Sequence, residues 1–300
     1  MDDVDADDFD TVMAERRRLL ALAYRLLGTV AEAEDAVQET YLRWYRLPED
    51  ERAAITNPQG WLTRVASRVC LDVLRSARAR RELYVGEWLP EPVPPGLLGD
   101  EPDGVPDPAD RVTLDDTVST ALLVVLDAMT PAERVAFVLH DVFALPFPEI
   151  AEVVGRSPAA VRQLATSARR RVAEHRGATA RPAEHDAVVR AFVAASAGGD
   201  LGALTALLDP SVTLRSDGGG VVRAARKPVL GPRNVARFLL GVLAKAPTWR
   251  VAERTTADGL GFVILEPDDR VHAVVNLRVA AGRVTDVWMM VNPGKLTGWR

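Results

Sequence analysis

Two short stretches of this chain gather the side chains that bind phosphate. Residues 61–81 hold six arginines, Arg64, Arg68, Arg75, Arg78, Arg80 and Arg81, against one acid, Asp72. Residues 156–183 hold seven arginines against Glu174. Arginine neutralises phosphate and releases its counterions, which gives salt-dependent affinity for nucleic acid. The first block opens on Trp61, and an aromatic ring can hold or wedge an unstacked base. A core tryptophan beside a solvated arginine face accounts equally well for that block taken alone. The whole chain is acidic, with 42 acids, 37 bases and a net charge of −5. That total argues against nucleic acid until it is resolved by segment. Residues 1–60 carry −7 and residues 82–116 carry −9, which conceal +5 and +6 in the two arginine blocks.

Helices must position both blocks. Asn57-Pro58 supplies an N-cap and a first-turn proline, and opens a helix through Trp61, Val65, Val69 and Leu74. Upstream, Leu19, Leu22, Ala23, Leu26 and Leu27 recur at helical spacing. Thr29 with Glu32 three residues on is a capping box that starts the next helix, whose Ala33, Val37, Tyr41 and Trp44 share a face. Residues 85–110 contain seven prolines and read as an extended linker. Helix resumes from about 113 to 176, with a second capping box at Thr130-Pro131-Ala132-Glu133. A short helix from Phe147 to Val154, a break at Gly155 and a new start at Ser157-Pro158 give the layout of a helix-turn-helix. In its second helix Val161, Leu164, Ala165, Ala168 and Val172 form the inward face. Arg162, Gln163, Thr166, Arg169 and Arg170 are left for base edges or phosphates, and the small Ala159 and Ala160 permit close entry into a major groove. An αα-hairpin with a solvated basic face is the plainer reading of the same pattern.

After Arg181 the texture changes. Helices at about 185–197 and 200–208 and one near Asn234–Leu243 accompany strand-like runs at 212–215, 221–225, 249–255, 260–265, 271–279 and 284–291, the pattern of an α+β domain. An isomerase-type site needs a carboxylate base and an oxyanion donor such as tyrosine. Asp217 could be the base, but no tyrosine follows Tyr84, Asp-Gly-Gly-Gly also reads as a turn, and His272 reads as structural. We therefore expect no catalytic residues, no metal ligands and no cofactor. The single cysteine, Cys70, excludes an intrachain disulfide framework, and no apolar run reaches the ~18 residues of a membrane span. The N-terminal ten residues are acidic, the wrong charge for a signal peptide. A cytoplasmic location is the expectation.

Several motifs resemble one family. Asp35-Ala36-Val37-Gln38-Glu39-Thr40-Tyr41-Leu42-Arg43 resembles the core-polymerase-binding helix of region 2 in bacterial sigma factors. Trp61–Ala66 followed by Leu71–Arg75 resembles the helix that reads and melts the −10 element, and Phe147–Arg162 resembles the region 4 helix-turn-helix that reads the −35 element. With no counterpart of the longer intermediate domains, the layout is that of an extracytoplasmic-function (ECF) sigma factor. Trp88-Leu89-Pro90-Glu91-Pro92, Asp217-Gly218-Gly219-Gly220 and Asn292-Pro293-Gly294-Lys295-Leu296 resemble motifs of the ECF subgroup with a fused SnoaL-like domain, the sigma-J type. That subgroup usually has Asp where Gly294 stands, and many ECF factors have Asn where Arg68 stands.

The resemblance implies a multidomain chain. A region 2 bundle spans 1–84, a Pro-rich acidic linker 85–112 and a region 4 helix-turn-helix 113–178. An α+β domain of the SnoaL or nuclear-transport-factor-2 fold spans 184–300. It implies core RNA polymerase and promoter DNA as partners, with no membrane, and a small-molecule ligand in the C-terminal domain as an open question. Asp35, Gln38, Glu39 and Arg43 would dock on polymerase. Trp61, Arg64, Arg68 and Arg75 would meet the −10 element, with the loop 52–60 capturing a flipped base. Ser157, Ala159, Arg162, Gln163, Thr166, Arg169 and Arg170 would read the −35 element. Trp88, Pro90, Asp217, Gly219, Asn292 and Lys295 would hold the sigma domains under control in cis, with Trp88 as the bulky anchor. The chief rival is a one-component helix-turn-helix regulator with a ligand-sensing domain, which leaves residues 10–83 without a role.

Overall fold

The computed structural model describes residues 12–81, 84–98, 119–175 and 180–299, and the side chains of all of these except 77–81. The side chains of Arg78, Arg80 and Arg81, the linker from 99 to 112 and the expected helix start at 113–118 lie outside that set. The described residues form two compact units. The first comprises 12–80, 96–98 and 125–173, and the second 81, 84–95, 119–124, 174–175 and 180–299.

In the first unit, α1 (Arg16–Leu27) and α2 (Val30–Tyr45) meet at Gly28, whose φ of 84° lets it close α1 with a hydrogen bond to the Tyr24 carbonyl. Thr29 caps α2 as its sequence requires, accepting from the Glu32 N–H and donating to the Glu32 carboxylate (2.9 Å). Ala33, Val37 and Trp44 are buried on one face. After the short α3 (Glu49–Ala53), Asn57 Oδ1 accepts from the Gly60 N–H (2.9 Å) and starts α4 (Pro58–Arg81), which buries Leu62, Ala66, Val69 and Leu74. The connector before α4 is thus shorter than expected, because α3 occupies its start.

Helix α5 (Thr120–Asp127) leads to α6 (Pro131–Phe137), which opens with a complete Thr130–Glu133 capping box. Glu133 also accepts from Ser167 (2.8 Å), and these hydrogen bonds hold its carboxyl below the usual range against the opposing effect of burial. One π-helical turn (Val138–Val142) delivers Phe143 beside the guanidinium groups of Arg18 and Arg25, each 5.9 Å from its ring. Next come α7 (Phe147–Val154), Gly155 at φ 72° and α8 (Pro158–His175), with Val161, Ala165, Ala168 and Val172 buried. Leu164 is only half-buried.

The second unit carries α9 (Pro182–Ala197), α10 (Leu201–Leu207), β1 (Leu208–Asp217), β2 (Val229–Leu230), α11 (Pro232–Ala244), β3 (Arg250–Thr256), β4 (Gly259–Leu265), β5 (Val271–Ala280) and β6 (Arg283–Met290). The sheet order is β2-β1-β6-β5-β4-β3, antiparallel except for the parallel pair β1–β6. Both faces are apolar. Ala273, Val275, Leu277 and Val279 point to the three helices, while Val274 on β5, with Trp288 and Met290 on β6, points the other way. A sheet apolar on both sides needs two covers. The second cover is Leu89 together with Leu296 and Trp299. The expected strand at 221–225 does not form. Val221 and Val222 both donate to the Gly218 carbonyl (3.0 and 2.9 Å), and the Ala225 N–H is taken by Ser216 Oγ (2.9 Å), so this segment turns and β2 takes the edge beside β1.

Candidate nucleic-acid and polymerase interfaces and an internal clamp

On α2, Asp35, Gln38 and Arg43 are exposed and Glu39 is half-buried, with Arg43 Nε bonded to Glu39 Oε1 at 2.9 Å. The same surface carries two apolar residues that a search for charge passes over, Leu42 and Tyr45, 43% and 42% exposed. Positions 35, 38, 42 and 45 share a helix face. Gln38, Leu42 and Tyr45 rim a groove of about 390 Å³ that Met13, Val37 and Tyr41 also line. Apolar residues at helical spacing on an otherwise polar face were the signal available in the sequence.

On α4, Arg75 is exposed and pairs with Asp72 (3.4 Å). Trp61 is half-buried and packs edge-on against Trp44, centroids 5.1 Å apart, so it is part core and part surface. Arg68 Nη2 donates to the Glu152 carbonyl in the last turn of α7 (2.9 Å), where the helix dipole favours a cation. Trp61, Arg64, Val65 and Arg68 line a cleft of about 300 Å³ whose other wall is Glu152 and Val153.

On α8, Ser157, Ala159, Arg162, Gln163, Thr166, Arg169 and Arg170 are all exposed. Arg162 lies over the Phe147 ring (5.3 Å). Arg169 is held by Asp141 at 2.6 Å, which takes it out of the set ready for phosphate.

The second unit brings together most of the residues expected to act in cis. Asp217 is fully buried and accepts four hydrogen bonds: from Tyr84 Oη (2.6 Å), the Gly219 N–H (2.9 Å), the Leu89 N–H (2.9 Å) and Lys295 Nζ (2.8 Å). Lys295 Nζ donates also to the Leu89 carbonyl (2.6 Å) and lies 4.2 Å from the Trp88 ring centroid. Asn292 Nδ2 donates to Tyr84 Oη (3.1 Å), and Trp299 Nε1 to the Pro92 carbonyl (2.8 Å). Gly219, at φ 64°, is required on two counts, since a Cβ there would sit 2.5 Å from Asn292. Pro90 is buried in the same segment.

Two details differ from expectation. The buried anchor is Leu89 (2% exposed) and not Trp88, which is half-buried over the lysine. Tyr84 is a central member of the cluster; burial and the adjacent Asp217 push its phenol well above the ordinary range. A tyrosine four residues before Trp88 was its only mark in the sequence.

A second internal clamp was not anticipated. Asp258 accepts from the Thr120 N–H (2.6 Å), Thr120 Oγ1 and Asn276 Nδ2, and so caps α5 from a distant hairpin. Burial raises its carboxyl to about 6, against the lowering effect of the Thr120 donors. His272 is held by Glu266 (3.0 Å) and lies against Trp249 (3.9 Å between centroids), a structural setting.

Two family models match the two helical regions of the chain: Sigma-70 region 2 over residues 11–80 and Sigma-70, region 4 over residues 119–172. The ECF RNA polymerase sigma factor SigJ of Mycobacterium tuberculosis is 41% identical over 95% of this chain and 92% of its own. The probable ECF RNA polymerase sigma factor SigI of the same species is 39% identical, with 94% and 92% covered. The crystal structure of SigJ superposes with a TM-score of 0.73 at 38% identity, covering 98% of both chains, the C-terminal domain included. The chain belongs to the ECF RNA polymerase sigma factors. Members of that family bind core RNA polymerase and promoter DNA to start transcription, and they are not enzymes. The match to region 2 supplies the role that the one-component regulator reading left empty. No helix among the described residues is long and apolar enough to cross a membrane.

Proposed function

We propose that this sigma factor is controlled in cis by its own C-terminal domain, through the Asp217 cluster. The observation that carries this reading is the burial of Asp217, Lys295 and Leu89 in one hydrogen-bonded set. That set fastens residues 84–95, the chain that leaves region 2, to the C-terminal sheet. A fixed anchor at this point limits how far region 2 can travel when the factor docks, because the remaining linker alone then sets its reach.

The α2 face of Asp35, Gln38, Glu39 and Arg43, extended by Leu42 and Tyr45, docks on core polymerase. Trp61, Arg64, Arg68 and Arg75 meet the −10 element, which requires α4 to part from Glu152 of α7. Ser157, Ala159, Arg162, Gln163, Thr166 and Arg170 meet the −35 element. Polymerase is a cytoplasmic partner, so the factor acts in the cytoplasm. The seat open to a small ligand in the C-terminal domain is a groove of about 600 Å³ along Ser216–Arg226.

The test is transcription by reconstituted polymerase with Leu89→Ala and Trp88→Ala. Promoter output should change while binding to core polymerase holds. Unaltered output from both variants refutes control in cis.

A further inference from the structure

Residues 218–252 contain seven basic residues and no acid, in a chain whose net charge is −5. Six of them, Arg223, Arg226, Lys227, Arg233, Arg237 and Lys245, are exposed, and none of their side chains makes a hydrogen bond or ion pair with a described residue. Elsewhere in the same unit, arginines do reach carboxylates: Arg190 to Glu253, Arg215 to Glu87, Arg250 to Asp269, Arg270 to Glu266 and Arg278 to Asp286.

The placement of two of these cations is unfavourable for the fold itself. Arg233 stands in the first turn of α11, which has no acid there, so it opposes the helix dipole. Arg233 and Arg237 are four apart on one exposed face, a like-charge pair that weakens a helix. Lys245 follows the last turn, about 120° round the helix from Arg233, where a cation suits the dipole. Over these 12 residues at 1.5 Å each, the helix carries its positive charge along about 18 Å. The loop before α11 adds Arg223, Arg226 and Lys227. A surface with this much uncompensated positive charge fits a polyanion with regularly spaced phosphates.

Chain connectivity says which polyanion is within reach. Helix α8 ends at His175 and α9 begins at Pro182, so six residues join them. Six residues span at most about 20 Å. The chain itself therefore keeps the start of α9 within about 20 Å of the end of the helix assigned to the −35 element.

We propose that the basic face formed by residues 223–227 and helix α11 is a sequence-independent docking surface for DNA phosphates flanking the −35 element. It rests on the reading of α8 as the −35 helix, and the test separates the two.

The full chain is titrated by fluorescence anisotropy against a labelled 30-base-pair duplex of mixed sequence, from 50 to 200 mM KCl. The variant is Arg226→Gln/Arg233→Gln/Arg237→Gln. Each lost phosphate contact lowers the logarithmic salt slope by about 0.9, so three contacts make the wild-type fall in affinity about 40-fold steeper than the variant's across this range. Equal falls overturn the proposal. Arg162→Ala/Arg170→Gln probes α8 in the same assay. Loss from the α11 variant with none from the α8 variant keeps the docking surface and removes the −35 reading. An α11 variant that leaves duplex affinity intact but weakens binding to core polymerase assigns the surface to polymerase and overturns the proposal. Because all three residues are exposed, melting of the variant should match or exceed wild type, which keeps the DNA result interpretable.

Discussion

Replacing Lys295 by methionine probes the core of the internal clamp. The ammonium group is 2.8 Å from Asp217, and the two side chains are 9% and 0% exposed. Methionine keeps the length of the stem and removes the charge, so Asp217 remains a buried carboxylate with Tyr84, Leu89 and Gly219 as its neutral donors. Removing one partner of a buried ion pair costs about 3–5 kcal/mol. For a unit of this size each kcal/mol moves the melting temperature by about 2–4 °C, so the expected fall is about 10 °C. Tyr84→Phe deletes one neutral hydrogen bond to the carboxylate and the acceptor of Asn292 Nδ2, strands no charge, and should cost less, about 2 kcal/mol. Asp217→Ala leaves the Lys295 ammonium, the Tyr84 hydroxyl and the Leu89 N–H without their shared acceptor, so it should cost at least as much as Lys295→Met. Near-ultraviolet circular dichroism of the full chain is the assay, because Trp88 stacks on the lysine and Trp299 donates to the same segment. The double variant Asp217→Leu/Lys295→Met should melt well above the sum of its single changes, since neither buried charge is then stranded. A melting point for Lys295→Met within 2 °C of wild type would refute the clamp, as would strict additivity in the double variant.

Three further outcomes follow from other parts of the molecule. The carboxyl of Asp258 is raised to about 6 from an ordinary value of about 3.9, so the folded chain binds more protons than the unfolded chain between those values. Its contribution to stability is best below pH 4 and is lost as pH rises towards 6; denaturant titrations at pH 4.5 and 7 should show Asp258→Asn lacking that decline, and identical pH dependence in wild type and variant would count against it. Leu42→Glu with Tyr45→Ser should reduce binding to core polymerase by about tenfold or more, the loss of two apolar contacts in a docking face, with an unchanged melting curve; full retention of polymerase binding would remove these residues from the interface. Changing Gln163 or Arg162 should alter the preferred −35 bases in a promoter library, at about 1–3 kcal/mol per base contact, whereas Arg169→Gln should leave preference alone because Asp141 already holds that side chain.

Much of this molecule follows from patterns within a few residues of each other. The capping boxes at Thr29 and Thr130, the prolines at 58, 131 and 158 and the left-handed glycines at 28 and 155 set where helices start and stop. Period-3.6 apolar spacing then chose the buried faces of α2, α4 and α8, and so left Arg68, Arg75, Arg162, Arg169 and Arg170 exposed. Leu89 was harder to read. Trp88 is the larger apolar side chain, but the pleat of the second sheet face offers its hole to the next residue, so the tryptophan stays half out above Lys295. The strand expected at 221–225 failed because Gly218 and Ser216 captured its N–H groups locally, an alternative that β-branched composition does not reveal.

Sequence alone determined the helix-turn-helix, the two arginine helices and the family motifs, because short-range hydrogen bonding and periodicity govern each of them. Only the tertiary structure decided the partners of the buried charges. Tyr84, Asp217 and Lys295 lie 133 and 78 positions apart, and Thr120 and Asp258 lie 138 apart. Nothing local requires those pairs to meet. They meet because a sheet apolar on both faces must be covered twice, and the chain segments that cover its second face bring their polar groups into a dry space where each must find a partner.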